Sequence, residues 1–342
     1  MRPALAVSLV FMAGLPWLLA AQQARPRPPV LSRLTWFDRA GTRLGGVGPV
    51  ADHGNIELSP DGMRVAVAVA PHTGSPRDLW IYDTRTGARS QFTSDATDEN
   101  WLVWSADGRR VIMNAGLESL DLFEAPSNNA GSRTRLLADG DGKWPVSLSP
   151  DGRFLLYVTN SRQTNNDIWV LPLRRRGRPF PFLQSEASEN WAAFSPDGKW
   201  VAFSSTEGGQ SEVYVSRFPA NGRHWRISAD GGSQARWRRD GREIFYLAPD
   251  RTVMAVSVRS SRSDLSVDDY RPLFRANYPY GAYHAFDVTA DGQRFLVNTI
   301  VVSAADSVVA SSDTEGTERV TESLTPQNTQ NTRRDMEKRS QQ

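Results

Sequence analysis

The sequence predicts an all-β protein, a six-bladed β-propeller whose blades are four-stranded antiparallel sheets. Two observations lead to this prediction. A short phrase ending in Asp-Gly recurs six times at intervals of 43 to 51 residues, and apolar segments of strand length flank every copy. A length of 342 residues fits two ordinary domains or one large all-β domain, and the repeat favours the single domain.

The repeated phrase is explained by the chemistry of a hairpin turn. Residues five and three positions before each Asp are apolar in every copy, as in Ile56 and Leu58, which is the spacing of one strand face. In the Ser-Pro-Asp-Gly form, Pro presets φ, Asp accepts local hydrogen bonds and Gly takes the left-handed conformation. We therefore interpret the six pairs as structural turn residues and not as catalytic ones. They are Asp61 and Gly62, Asp107 and Gly108, Asp151 and Gly152, Asp197 and Gly198, Asp240 and Gly241, and Asp291 and Gly292.

Each repeat contains four predicted strands. The strand after the turn is apolar on both faces, as expected of a strand that lies between two neighbouring sheets. A third strand such as DLWIYD and a more polar fourth strand such as RSQFT complete the unit. The N-terminal segment LTWFDRAGTRLG has the pattern of a third strand without its first two, and the sixth copy lacks a third strand. We predict that the N-terminal strands pair with the C-terminal hairpin, which closes the ring and removes two exposed sheet edges.

Shifts in composition divide the chain into four segments. Residues 1–24 combine a positive start with an uncharged apolar stretch and are predicted to be a signal peptide or membrane anchor. Residues 25–32 form a Pro-rich spacer, residues 33–302 form the predicted six-bladed propeller, and residues 303–342 form a polar tail that is predicted to be disordered. This order predicts a periplasmic or otherwise extracytoplasmic protein, secreted or N-terminally anchored.

The turn phrase, the apolar strand after it and the D-[LI]-W-[IV] strand resemble the WD40-like PD40 repeats of TolB-like propellers. The segments TWFDRAGTRLG, WRRDGREIFYLAPDRTVMAVSV and FDVTADGQRFLVNT further resemble the extracytoplasmic C-terminal propeller of bacterial membrane-spanning serine/threonine kinases. The resemblance covers about residues 34 to 302 and implies the propeller fold. It implies no kinase activity, because the sequence has no HRD, no DFG and no glycine-rich ATP loop. We expect a stand-alone or truncated relative without the kinase domain.

The composition excludes several kinds of chemistry. The chain has no Cys, and its four His residues lie in different repeats, so thiol nucleophiles, disulfides and metal sites are not expected. No G-x-S-x-G motif is present. The 40 basic and 38 acidic residues give a net charge of +2, which is not the basic field of a nucleic-acid binder. We therefore predict no cofactor, no metal and no catalytic residue.

Acidic and aromatic residues concentrate in the connections between the outer strand of one blade and the inner strand of the next. Propeller geometry gathers these connections on one face around the channel, so we predict a binding rim there that favours a cationic partner. In the alternative interpretation they are ordinary solvated loops with tryptophans packed between blades. The candidate rim residues are Asp95, Asp98, Glu99, Trp101, Asp139, Asp141, Trp144, Glu186, Glu189, Trp191 and Asp230.

These features predict an exported, non-enzymatic β-propeller that acts as a protein- or peptide-binding scaffold in the cell envelope. We expect a monomer that meets the membrane only through an uncleaved N-terminal segment and does not bind nucleic acid. Two alternatives stay open, because propellers host binders and enzymes alike. One is a small-ligand or glycan sensor related to the kinase-linked propellers, and the other is an enzyme that uses mouth carboxylates such as Asp98 and Glu99.

Overall fold

The regular structure of the described residues is entirely β-sheet. The computed structural model describes residues 30–301, with gaps at 73–74, 117–118, 162, 175–176, 262–263 and 280–282. These residues form 23 strands, so the all-β class predicted from the sequence is confirmed. The predicted export segment, residues 25–29 of the spacer and the predicted tail lie outside them. Among the described residues, no helix has the length and apolar character needed to span a membrane.

The two ends of the described chain meet in one sheet of seven strands, which spans two blades, numbered 6 and 1. Its strand order is β22-β23-β1-β2-β3-β4-β5. In chain order these strands are β1 (Ser32–Asp38), β2 (Arg43–Leu58), β3 (Arg64–Ala70), β4 (Asp78–Asp83), β5 (Arg89–Gln91), β22 (Phe286–Val288) and β23 (Arg294–Ile300).

The long strand β2 is shared between these two blades. Its first half pairs with β1, where Val47 lies opposite Leu34, and its second half pairs with β3, where Ile56 lies opposite Val67. Strand β1 also pairs with β23 along its whole length. Blade 6 therefore contains β22, β23, β1 and the first half of β2. This pairing agrees with the predicted closure by N-terminal strands and the C-terminal hairpin.

The other four blades are separate four-stranded sheets whose strands follow one another in the chain. Blade 2 contains β6 (Leu102–Trp104), β7 (Arg110–Ala115), β8 (Asp121–Pro126) and β9 (Thr134–Leu137). Blade 3 contains β10 (Lys143–Leu148), β11 (Phe154–Ser161), β12 (Asn165–Pro172) and β13 (Phe180–Leu183). Blade 4 contains β14 (Glu189–Phe194), β15 (Trp200–Ser205), β16 (Glu212–Arg217) and β17 (His224–Arg226). Blade 5 contains β18 (Ser233–Trp237), β19 (Glu243–Leu247), β20 (Thr252–Ser260) and β21 (Leu265–Arg275).

The hydrophobic core is distributed over the seams between consecutive blades. Six clusters of buried side chains occupy the six seams, each combining residues of two neighbouring blades. The cluster between blades 3 and 4 also contains Trp101 of blade 2. The seam between blades 6 and 1 unites Leu34 and Leu296 with Val65, and the seam between blades 5 and 6 unites Phe245 with Phe295. Since every seam is filled, each blade is covered on both faces, which explains why the second strand of each repeat is apolar on both sides.

The Asp-Gly turns lie at one face of the ring, which we call the turn face. In the first copy, Ser59 Oγ donates to Asp61 Oδ1 at 2.5 Å, and the same hydroxyl accepts the Arg64 amide at 3.0 Å. The Ser59 hydrogen bond lowers the pKa of the Asp61 carboxyl. Gly62 has φ 69°, a conformation that favours glycine. The carboxylate is thus engaged within its own turn, as a structural role requires.

Candidate functional site at the axis of the ring

Three aromatic rings from three different blades meet at the centre of the molecule. Trp101 precedes β6 in blade 2, Trp191 lies on β14 in blade 4, and His284 precedes β22 in blade 6. Their ring centroids are 4.9 to 5.3 Å apart. Because blades 2, 4 and 6 are not neighbours, these side chains can meet only across the central axis. They mark one end of the channel, which we call the mouth.

Irregular backbone in the inner strands turns side chains towards this mouth. The pairing register shifts between Asn190 and Ala193 in β14 and between Ser233 and Arg236 in β18, as in β-bulges. Within the first shift, Trp191 has φ 57°. A positive φ is a strained conformation for a bulky residue, and strained residues cluster at binding and catalytic sites. The strain at Trp191 therefore points to the mouth as the functional end of the ring.

A cavity of about 420 Å³ opens at the mouth. We call it the mouth cavity. Its lining includes Trp101, Trp144, Trp191 and Tyr283, together with Asp98. The sequence predicted the three tryptophans and Asp98, and the structure brings these four together. Four amide side chains that the sequence did not predict complete the polar lining: Asn100, Asn114, Asn166 and Asn190.

Asp95 and Glu99 do not line the mouth cavity, because Arg133 of blade 2 binds both carboxylates. The distance from Arg133 Nη1 to Glu99 Oε1 is 2.6 Å. Glu99 is fully buried, and burial raises the pKa of its carboxyl to about 7. Glu189 is also buried. Its Oε1 accepts a hydrogen bond of 2.6 Å from Ser185 Oγ, and burial raises the pKa of its carboxyl.

The remaining predicted carboxylates are likewise spread over the molecule. Asp139 forms an ion pair with the buried Lys143, whose Nζ also donates to the Asp141 carbonyl oxygen at 2.6 Å. Glu186 is exposed, and Asp230 lines a separate cavity of about 470 Å³. Acidic groups from several blades therefore do not converge at the mouth. Asp95 and Glu99 pair with Arg133, and Asp139 pairs with Lys143. Of the predicted carboxylates, Asp98 alone lines the mouth cavity.

Arg77 supports the wall of the mouth cavity from blade 1. Its Nη1 donates to the Tyr283 hydroxyl at 3.2 Å, and its Nη2 forms an ion pair of 3.0 Å with Asp52. The Arg77 backbone amide donates to Asp98 Oδ1 at 2.8 Å, and Asp98 Oδ2 accepts from Asn100 Nδ2. Both oxygens of Asp98 are therefore already engaged by neighbouring groups.

A second polar group lies deeper in the channel and was missed by the sequence analysis. Arg236 of blade 5 lies 3.2 Å from Asp287 of blade 6, and Asp287 Oδ2 accepts the Leu58 amide at 2.8 Å. Glu57 of blade 1 accepts the Trp104 amide at 3.5 Å. Glu57, Arg236 and Asp287 each lie four positions before a turn Asp, between the two apolar residues that identify the inner strand. A charged residue at this position of the repeat is therefore the sequence signal for this group. Within the described part of the chain, no three His, Asp or Glu side chains are placed to hold a metal ion.

Glu57 predicts a pH dependence of stability. Burial raises the pKa of its carboxyl to about 8 from 4.5, with Arg236 acting in the opposite direction. Between pH 4.5 and pH 8, the folded protein therefore keeps a proton on Glu57 that the unfolded chain releases. The contribution of Glu57 to the free energy of unfolding is complete below pH 4.5 and decreases as the pH rises towards 8. The loss reaches a few kcal/mol, since one pKa unit corresponds to about 1.4 kcal/mol.

We expect Glu57→Gln to flatten this decrease when the free energy of unfolding is measured by urea denaturation at pH 5 and pH 8. Glu186→Gln, at an exposed position, serves as the control and should keep the wild-type slope. Equal slopes in the Glu57→Gln variant and the wild type would show that Glu57 is ionised in the folded protein.

The geometry can be compared with proteins of known structure. A protein assigned as TolB from Agrobacterium tumefaciens superposes with a TM-score of 0.64 at 17% identity, covering 80% of this chain and 99% of that one. The fold is that of a TolB-like β-propeller. TolB from Acinetobacter baumannii has a TM-score of 0.51 at 19% identity, covering 70% of this chain and 64% of that one. No family model and no curated protein matches the chain.

The same fold also carries enzymes. Oligogalacturonate lyase from Vibrio parahaemolyticus superposes with a TM-score of 0.51 at 12% identity. The match covers 77% of this chain and 76% of the lyase chain. Likenesses at this level of identity concern the architecture of the ring. The function of such a ring depends on its site residues and not on the fold alone.

Proposed function

We propose that this chain is an exported, non-enzymatic β-propeller that binds a segment of a partner protein in the mouth cavity. The observation that carries the proposal is the set of three tryptophans around a cavity on the ring axis, one of them with a strained backbone. Tryptophan is the residue type most enriched at the energetic centre of protein interfaces, because a large rigid ring gains contact area at little entropic cost.

A wider cavity of about 830 Å³ lies on the turn face, between blades 4 and 5. We favour the mouth cavity over it for two reasons. Two of the four arginines that line the larger cavity already have acidic partners there, since Arg238 pairs with Asp240 and Arg259 pairs with Asp268. Its backbone also carries no positive φ except at Gly241, whose turn requires one.

The placement of the carboxylates supports a binding role over a catalytic one. General acid–base chemistry needs a carboxylate that can reach the reacting atoms. Glu99 is fully buried against Arg133, and both oxygens of Asp98 accept hydrogen bonds from Arg77 and Asn100. The two carboxylates of the enzymatic alternative therefore have other partners.

The location and ancestry belong to the same proposal. The apolar segment at residues 1–24 supports export into the cell envelope. The segments that resemble kinase-linked propellers support a shared origin with that group of rings, without the kinase activity.

Site-specific photo-crosslinking tests the proposed face. A photoreactive residue is placed at the partly exposed Asn166, which lines the mouth cavity, or at the exposed Asn221, between the third and fourth strands of blade 4 on the turn-face side. In cells that export the full chain, we expect a covalent adduct with a discrete protein from Asn166 and none from Asn221. Adducts from Asn221 alone, or equal adducts from both positions, would contradict the proposal.

A further inference from the structure

Two amide groups in the mouth cavity have one hydrogen-bonding atom each without a partner. Asn114 is fully buried and Asn100 is 7% exposed, and both line the cavity. Within the described residues, neither Asn114 Nδ2 nor Asn100 Oδ1 has a hydrogen-bond partner. Buried polar atoms of this kind are rare, and each costs about 1–3 kcal/mol when it stays unpaired. Both atoms are closed off from solvent in this structure, and because both residues line the cavity, a ligand that enters it and shifts the wall slightly can supply the missing partners.

The orientation of both amides is fixed by their other contacts. The Trp101 backbone N–H donates to Asn114 Oδ1 at 3.1 Å, so the NH₂ group of Asn114 is the free end. Asn100 Nδ2 donates to the Asp98 carboxylate, so the carbonyl oxygen of Asn100 is the free end. Exchanging O and N in either side chain would place like groups against each other. The cavity wall therefore holds one unpaired donor and one unpaired acceptor.

The chemistry of the missing partner follows from this pair. A carboxylate has no proton to donate to Asn100, and an ammonium group has no acceptor for Asn114. An apolar side chain satisfies neither atom. A carboxamide and a hydroxyl group each carry both an acceptor and a donor, and the carboxamide also has a planar face that can lie on the indole rings of the cavity wall.

The other polar groups around the cavity are either uncharged or already hydrogen-bonded to neighbouring residues. Asn166 Nδ2 donates to Asn190 Oδ1 at 2.9 Å, and the carboxylate of Asp98 is held by Arg77 and Asn100. An incoming cation would therefore meet one carboxylate whose oxygens each accept a hydrogen bond already, whereas a neutral amide can use the unpaired atoms of Asn100 and Asn114.

We propose that the mouth cavity recognises an uncharged carboxamide side chain, Gln or Asn, in the partner segment. This inference rests on the proposed function, because it names the group that the partner inserts. It replaces the cationic partner expected from the sequence.

Matched peptides test the proposal on the purified, exported chain. Four five-residue peptides share flanking Ser and Gly residues and differ only in a central Gln, Glu, Lys or Met, so their backbone amides are the same. We expect the Gln peptide to bind at least about fivefold more tightly than the other three in a tryptophan-fluorescence titration, since one added hydrogen bond is worth about 1 kcal/mol.

An isosteric variant reverses the expected preference. Asn114→Asp keeps an oxygen for the Trp101 N–H and replaces the free donor with an acceptor, so the Lys peptide should then bind more tightly than the Gln peptide. Asn128→Asp, at an exposed amide between β8 and β9 whose carbonyl oxygen accepts the Ala130 N–H, should keep the wild-type order. If Asn114→Asp does not fold, Asn100→Ala should reduce binding of the Gln peptide to that of the Met peptide.

The outcomes separate this inference from the proposed function. Three outcomes overturn the carboxamide inference: equal binding of all four peptides, no binding of any, or tighter binding of the Lys peptide by the wild type. None of them affects the proposed function, which the crosslink from Asn166 tests independently. Displacement of the Gln peptide by N-acetylglucosamine at lower concentration than by free Gln peptide would assign the cavity to an acetamido sugar and overturn both.

Discussion

Leu34→Ala is expected to lower the free energy of unfolding by about 3 kcal/mol, the cost of removing a fully buried leucine from a packed core. Leu34 is 0% exposed and lies on β1, between β23 and the first half of β2. Its side chain joins the seam between blades 6 and 1. The loss would be seen as a lower midpoint of urea denaturation with an unchanged dependence on urea concentration.

Leu44→Ala is the matched control, because Leu44 belongs to the neighbouring strand β2 but is 51% exposed. It should change the free energy of unfolding by less than about 0.5 kcal/mol. A similarly small effect of Leu34→Ala would show that β1 is not part of the closed ring in solution.

Trp144→Ala is expected to weaken capture of the partner at least about 30-fold, which corresponds to the 2 kcal/mol typical of an interface hot spot. Trp144 is partly buried and lies in the wall of the mouth cavity. It packs against the seam between blades 3 and 4, so some loss of stability accompanies the loss of binding. The affinity is measured on the crosslinked partner once it is identified, by titration with purified protein.

Trp225→Ala separates these two effects. Trp225 is also partly buried and packs against a seam, but it lies on β17 at the perimeter of blade 4. Its loss should lower stability by a similar amount and leave the affinity unchanged. An equal loss of affinity in both variants would mean that Trp144 acts through stability and not through contact with the partner.

The fold could be predicted from the sequence because its turns and strands are local. Pro, Asp and Gly specify the hairpin turn within four residues, and the apolar alternation beside it identifies the strands. The unpaired third strand at the N-terminus also indicated how the ring closes. What the sequence did not reveal is that β2 continues from blade 6 into blade 1, because its Gly-rich first half lacks the apolar alternation of a strand.

The candidate site was predictable only in part. Trp101, Trp144 and Trp191 could be placed at the mouth because their position in the repeat decides which face they reach. The destinations of Asp95 and Glu99 could not be predicted, because Arg133 lies more than 30 residues away in the chain and shows no pattern that links it to them. The position of each carboxylate depends on the cation it pairs with, and that pairing is set by the folded structure.

The amides that carry the ligand proposal gave no sequence signal. Asn100 and Asn114 are common residue types at unremarkable positions, and their importance lies in which atoms are left unpaired after folding. Likewise, His284 stands in a different repeat from both tryptophans that it meets. Only the ring brings alternate blades together at the axis.

The most direct test of the account is a structure of the full chain bound to the partner captured from Asn166. The account predicts that a segment of the partner enters the mouth cavity, contacts Trp101, Trp144 and Trp191, and places a carboxamide against Asn100 and Asn114. A partner seated on the turn face, in the cavity between blades 4 and 5, with the mouth cavity free of it, would contradict the account.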